Sequence, residues 1–232
     1  MEPEVAFEKV SLRPIVLLQE AYAMLGDQYW LFVGITLVGI LVGSAVPFGI
    51  LMGPMMCGIY LCYLQRERGE RVEFGTLFKG FDSFAECLIA MLLMVAAVFA
   101  VLIPCYILFI IVMITVVASS QGGQPDPAAF GILFAIYPLV FALLILVSLP
   151  FLFVFPLIAD RGLKAIPAIK TSFAAVWANL GGVLGMVIVF TFISTIATCM
   201  CYIPGILFMP VSFGGMFLAY RQIFPIQEAT PL

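Results

Sequence analysis

Four long stretches of this chain carry no charged residue at all: 28–65, 87–125, 127–159 and 171–220, or 38, 39, 33 and 50 residues. A membrane-spanning helix needs about 20 apolar residues, so each stretch is long enough to cross a bilayer at least once. Charged residues make up 10% of the chain, against about 25% in a soluble domain. A water-soluble fold has no place to hide that much apolar surface. The expected fold class is all-α: an integral membrane bundle of about six transmembrane helices. The chain opens with Glu2 and Glu4 rather than a basic run, and its first apolar segment begins near Tyr29. That segment is too long for a signal-peptide core and reads as a retained signal-anchor helix.

The ten basic residues group in four places: Lys9 and Arg13; Arg66, Arg68, Arg71 and Lys79; Arg161, Lys164 and Lys170; and Arg221. The connections near 45–49, 119–128 and 199–204 carry none. The positive-inside rule places the basic segments and both termini in the cytoplasm. The simplest path has spans at about 29–46, 50–64, 84–119, 130–159, 180–199 and 204–220. The third and fourth spans exceed bilayer thickness, so kinks are expected at Pro104, Pro138 and Pro150, where proline removes a helical hydrogen bond. Their outer ends are expected to break or to project beyond the bilayer.

The chain reads as one transmembrane domain of three in–out–in hairpins, at about 10–66, 71–160 and 163–223. Each is introduced by a cytoplasmic segment with an apolar stripe at helical spacing. The stripes are Ile15, Leu18, Tyr22 and Leu25; Phe74, Leu77, Phe78 and Phe81; and Ile166, Ile169, Phe173, Val176 and Trp177. Lys79 and Asp82 lie opposite the second, and Lys164, Lys170 and Ser172 opposite the third. Such helices lie in the membrane interface or pack on neighbouring spans as caps; either way they are candidate partner surfaces. The first and last hairpins resemble each other: 46–54, leading to Gly58, Tyr63 and Arg66, aligns with 203–210, leading to Gly215, Tyr220 and Arg221.

The pattern Arg-Gly-Glu…Leu-Phe-Lys-Gly-Phe (68–81), then Ala-Ile-Pro-Ala-Ile-Lys-Thr-Ser-Phe (165–173), then Pro…Gly-Gly…Ala-Tyr-Arg (210–221) resembles a broad group of uncharacterised bacterial inner-membrane proteins. The group includes domain-of-unknown-function families and the membrane domain attached to some glycerophosphodiester phosphodiesterases. The resemblance implies a multi-pass bundle in a bacterial inner (plasma) membrane. It carries over no catalytic or binding residue.

The chain has no histidine, which removes Ser-His-Asp and Cys-His catalysis and histidine-based zinc sites. It has no phosphate-binding glycine loop, no HExxH helix and no basic–aromatic surface for nucleic acid. No catalytic residue, cofactor or metal is expected. Cys57, Cys62, Cys87, Cys105, Cys199 and Cys201, with Met52, Met55 and Met56, are soft ligands of the kind Cu(I) prefers. They are also ordinary packing residues, and packing is the expectation. Cys105 with Cys199 or Cys201 is a candidate disulfide at the outer face.

Glu86 is the one carboxylate placed to enter the bilayer, a candidate functional group that can also snorkel to the interface. Thr191, Ser194, Thr195 and Thr198 recur at i, i+3, i+4 and i+7 and put four hydroxyls on one helix face. They line a polar path or bond neighbouring helices. Gly39 with Gly43, Gly49 with Gly53, and Gly181 with Gly185 have the spacing that lets helices approach closely. The functional expectation is a non-catalytic scaffold or accessory subunit of a membrane assembly. The alternative is a small transporter or lipid-handling protein. The expected partners are the lipid bilayer and either another membrane protein or a second copy, not nucleic acid. A cytoplasmic cluster of Glu67, Glu70, Glu73, Asp82 and Asp160 would be the best support for an enzyme, though such residues more often form a solvated, ion-paired loop.

Overall fold

A computed structural model of the chain describes residues 5–119, 127–200 and 202–226. The described residues form nine α-helices, with 3-10 turns between some of them: α1 Pro14–Leu25, α2 Tyr29–Ser44, α3 Met52–Glu67, α4 Phe84–Ser119, α5 Pro127–Ser148, α6 Val154–Arg161, α7 Ala165–Ala178, α8 Leu180–Cys199 and α9 Ile203–Ile223. Five helical runs are long and apolar enough to cross a membrane: Pro14–Ser44, Phe74–Ala118, Ile136–Arg161, Leu180–Cys199 and Ile203–Ile223. The chain is an all-helical, multi-pass membrane protein.

Of the six expected spans, the second, at about 50–64, falls on α3. Its 16 residues rise about 24 Å, short of the roughly 30 Å of hydrocarbon, and it is not among the five. Protein rather than lipid covers it: Met55, Cys57, Ile59, Tyr60, Cys62, Tyr63 and Leu64 are all buried.

The chain divides into two compact units, Met1–Met91 with Pro150–Leu232, and Leu92–Leu149. The first unit is built around α3. The ten-residue 3-10 helix Phe74–Ser83 lies along α3, and glycines set the separation. A Cβ on Gly58 would overlap the Leu77 carbonyl, and one on Gly80 would overlap the Pro54 carbonyl. Cys57 of α3 is joined to Cys87 at the start of α4 by a disulfide. This overturns the expected pairing: Cys105 and Cys199 are free, and Cys201 lies outside the described residues. On the other side, Tyr63 donates to the Pro210 carbonyl of α9 at 2.6 Å and stacks with Phe217 at 5.8 Å between centroids.

The expected kinks resolve differently. The α4 and α5 helices run through Pro104 and Pro138, whereas the chain turns 3-10 at Leu149–Phe151 and restarts as α6. The interruption at Pro150 has a partner elsewhere: the Phe153 N–H donates to the Ser172 hydroxyl of α7 at 3.2 Å. In the second unit, Phe109 of α4 meets Tyr137 of α5 edge to face at 6.4 Å.

Candidate functional site

The α8 helix divides its side chains among three directions. Val183, Met186 and Phe190 are buried. Gly181, Gly185, Ile188, Phe192 and Ile196 recur at i, i+4, i+7, i+11 and i+15; a Cβ on either glycine would meet nothing within 4 Å, and the three large side chains are exposed. The third face carries Thr191, Ser194, Thr195 and Thr198, and all four line a cavity of about 490 Å³. Leu152, Met186, Val187, Phe190 and Cys199 complete the near wall, with Ser212 and Met216 of α9 opposite.

The hydroxyls are not equivalent. Thr195 donates to the Thr191 carbonyl and Thr198 to the Ser194 carbonyl, each at 2.8 Å. Both satisfy their donors within the helix, as threonine does when it bonds back one turn, and keep lone pairs for accepting. Thr191, Ser194 and Ser212 have no side-chain hydrogen bond among the described residues. The cavity therefore offers three unpaired hydroxyl donors on apolar walls. Ser212 had no signal in the sequence, because its relation to α8 comes only from how α9 packs.

The Glu86 carboxylate accepts the Ala165 N–H at 2.8 Å, capping the first turn of α7. It lines a second cavity, of about 380 Å³, with Ile89, Lys164, Ala165, Ile166, Pro167 and Lys170. The expected apolar stripes are split by packing. In α1, Leu18 and Leu25 are buried while Ile15 and Tyr22 are exposed. Along the 3-10 helix, Leu77 is buried; Phe74 and Phe78 are exposed and meet edge to face at 6.2 Å; Phe81 is half-buried and stacked on Phe84 at 6.1 Å. In α7, Val176 is buried, whereas Ile166, Phe173 and Trp177 are exposed, with the last two rings stacked at 5.6 Å. Ser172, placed on the polar face by its spacing, is buried against the α6 start.

Two of the five clustered acids come together. Arg221 of α9 bonds Glu67 at 2.6 Å and Asp160 at 2.8 Å. Tyr220 donates to Asp160 at 2.6 Å, and Arg161 pairs with Asp160 at 3.1 Å. Glu70, Glu73 and Asp82 form no ion pair among the described residues. Arg221 also lies 5.5 Å from the Phe217 ring centroid. The cluster fastens the ends of α3, α6 and α9. A separate guanidinium, Arg66, bonds the Met24 carbonyl at 2.8 Å and Asp27 at 2.7 Å, closing the C-terminus of α1. Among the described residues no three of His, Cys, Asp and Glu are grouped to hold a metal.

No family model matches the chain, and neither a curated protein nor a solved structure matches it. What the molecule can do therefore rests on the geometry of the two cavities and the uncovered face of α8.

Proposed function

We propose that this is a non-catalytic, lipid-handling protein of a bacterial inner membrane, which holds an amphipathic molecule in the cleft between α8 and α9. The observation that carries the reading is the convergence of unpaired hydroxyls from Thr191, Ser194 and Ser212 on a cavity whose other walls are Leu152, Met186, Phe190 and Met216. Hydroxyl donors suit an ester or carbonyl oxygen, and apolar walls suit the chain attached to it. Thr191 is exposed and Ser194 and Ser212 are half-buried, so their free O–H groups are open to an occupant that can accept from them. We place the basic segments and both termini in the cytoplasm by the positive-inside rule, which requires the protein-covered α3 to complete a sixth crossing, and the three lead-in segments rest at that interface.

The test is a photo-crosslinking residue, p-benzoyl-phenylalanine, introduced in the full chain at Val187 in the cleft or at Ile188 on the uncovered face. After detergent extraction the Val187 position is expected to trap a lipid-sized adduct and the Ile188 position to lose it. Equal labelling at the two positions contradicts the reading.

A second reading is a scaffold or accessory subunit. It is favoured by the face of α8 bearing Gly181 and Gly185, where open space at both glycines leaves room for another helix to approach. Gly185→Leu would then abolish a stoichiometric complex with a membrane partner or a second copy. A chain that purifies alone with or without that substitution rules this reading out.

A further inference from the structure

The cavity beneath the first turn of α7 has a different chemistry from the α8–α9 cleft. Its charged lining is Lys164, Lys170 and Glu86, and its apolar lining is Ile89, Ala165, Ile166 and Pro167. Glu86 is engaged with the Ala165 N–H. Neither lysine makes an ion pair among the described residues, so one positive charge is left in excess around the cavity. Both lysines are exposed.

Lys170 also belongs to a continuous stripe. Ile166, Lys170, Phe173 and Trp177 stand at i, i+4, i+7 and i+11 of α7, the spacing of a single helix face. Every one of them is exposed, while Ala168, Ser172, Ala175 and Val176 are buried. Ile89 at the opposite wall of the cavity is exposed as well. A cation set among apolar and aromatic side chains on an uncovered face is the composition that holds an anionic headgroup while the rings sit at headgroup depth.

We propose that this cavity is a binding site for an anionic phospholipid. The headgroup phosphate sits between Lys164 and Lys170, and the acyl region runs over Ile89 and Ile166. Charge complementarity selects the occupant: a zwitterionic lipid brings no net charge to match the lysines, and Glu86 on the rim disfavours a headgroup bearing more than one negative charge. The site is independent of the α8–α9 cleft and stands whether or not the cleft holds a lipid.

The experiment is spin-label electron paramagnetic resonance on the full chain in phosphatidylcholine vesicles. It compares the motionally restricted fraction of spin-labelled phosphatidylglycerol with that of spin-labelled phosphatidylcholine. The wild-type chain is expected to prefer phosphatidylglycerol, and Lys170→Gln to lower that preference by about fivefold. Lys164→Gln together with Lys170→Gln removes it, whereas the double arginine variant keeps it and Lys79→Gln leaves it unchanged. If the double glutamine variant does not fold, as judged by circular dichroism, the single Lys170→Gln result decides. Equal association of the two lipids with the wild-type chain overturns the proposal, and so does a preference that survives both glutamine substitutions. Inorganic phosphate abolishing the preference where sodium chloride of equal ionic strength does not would assign the site to free phosphate instead, and would also overturn it.

Discussion

Asn179 at the joint between α7 and α8 stands in the same structural position as Gln28 at the joint between α1 and α2. Each is the residue preceding an apolar helix, α8 and α2, with φ/ψ of −114°/21° and −98°/12°. Each is buried, and each uses its side-chain amide to pair with an extended segment in both directions. Gln28 donates to the Val72 carbonyl and accepts the Val72 N–H, both at 3.1 Å. Asn179 donates to the Glu8 carbonyl at 3.0 Å and accepts the Val10 N–H at 2.8 Å. A matched pair of amides thus stands at the entry to α2 and to α8.

Replacing either amide strands backbone groups, buried ones at Val72 and part-buried ones at Glu8 and Val10. Asn179→Ala leaves the part-buried Val10 N–H and Glu8 carbonyl without that partner, at about 1 kcal/mol per lost bond, whereas Gln28→Ala strands the buried Val72 groups at about 1–3 kcal/mol each. The N-terminal segment should detach first. Hydrogen exchange in detergent is expected to show residues 8–10 losing protection in Asn179→Ala and residue 72 losing it in Gln28→Ala, each without affecting the other.

The Arg221 cluster gives a graded outcome. Asp160 is 9% exposed and Arg221 12%, so Arg221→Met leaves a nearly buried carboxylate with much of its compensation gone. The expected loss is about 3 kcal/mol. Glu67 is more exposed, and Glu67→Gln should cost under about 1 kcal/mol. Thermal unfolding in one detergent ranks the two variants; equal losses would contradict the burial argument.

Glycine substitutions separate close packing from open surface. Gly58→Ala and Gly80→Ala each force a methyl group into backbone, where overpacking costs about 1–3 kcal/mol or more. Gly181→Ala and Gly185→Ala meet open space and are expected to be neutral or to gain up to about 1 kcal/mol of helix propensity. Unfolding temperatures of the four variants check the ordering.

Much of the fold was legible because charge and proline punctuate the chain. The absence of charge over 171–220, broken by the turn before Pro204, gives α8 and α9 nearly to the residue, and Phe84–Ser119 matches the expected third span. Contacts distant in sequence were not legible. Pro104, Pro138 and Pro150 look alike in sequence, yet of the three only Pro150 lies outside an α-helix, where Ser172 of α7 supplies a hydroxyl to a nearby N–H. Residues 74–83 form a 3-10 helix, whose three-residue period brings Leu77 and Gly80 to the same buried side. The α-helical spacing had put Leu77 with Phe78 and Phe81. The four hydroxyls of α8 could be read from their spacing, but the opposing Ser212 could not. The Cys57–Cys87 pair depends on α3 lying against the start of α4, which no local pattern encodes.

The cleft hydroxyls should matter for ligand rather than for stability. Thr191, Ser194 and Ser212 donate no side-chain hydrogen bond within the described fold, so Thr191→Val, Ser194→Ala and Ser212→Ala remove no internal partner. Surface changes of this kind usually fall within about 0.5 kcal/mol. Unfolding temperatures close to wild type are expected for all three.

The most direct measurement is native mass spectrometry of the full chain extracted gently from its membrane, wild type beside the Thr191→Val, Ser194→Ala, Ser212→Ala triple variant. The cleft reading requires a lipid-mass adduct on the wild-type chain that is lost from a triple variant of unchanged helicity. An adduct of equal occupancy on both proteins, or none on the wild-type chain, would contradict it.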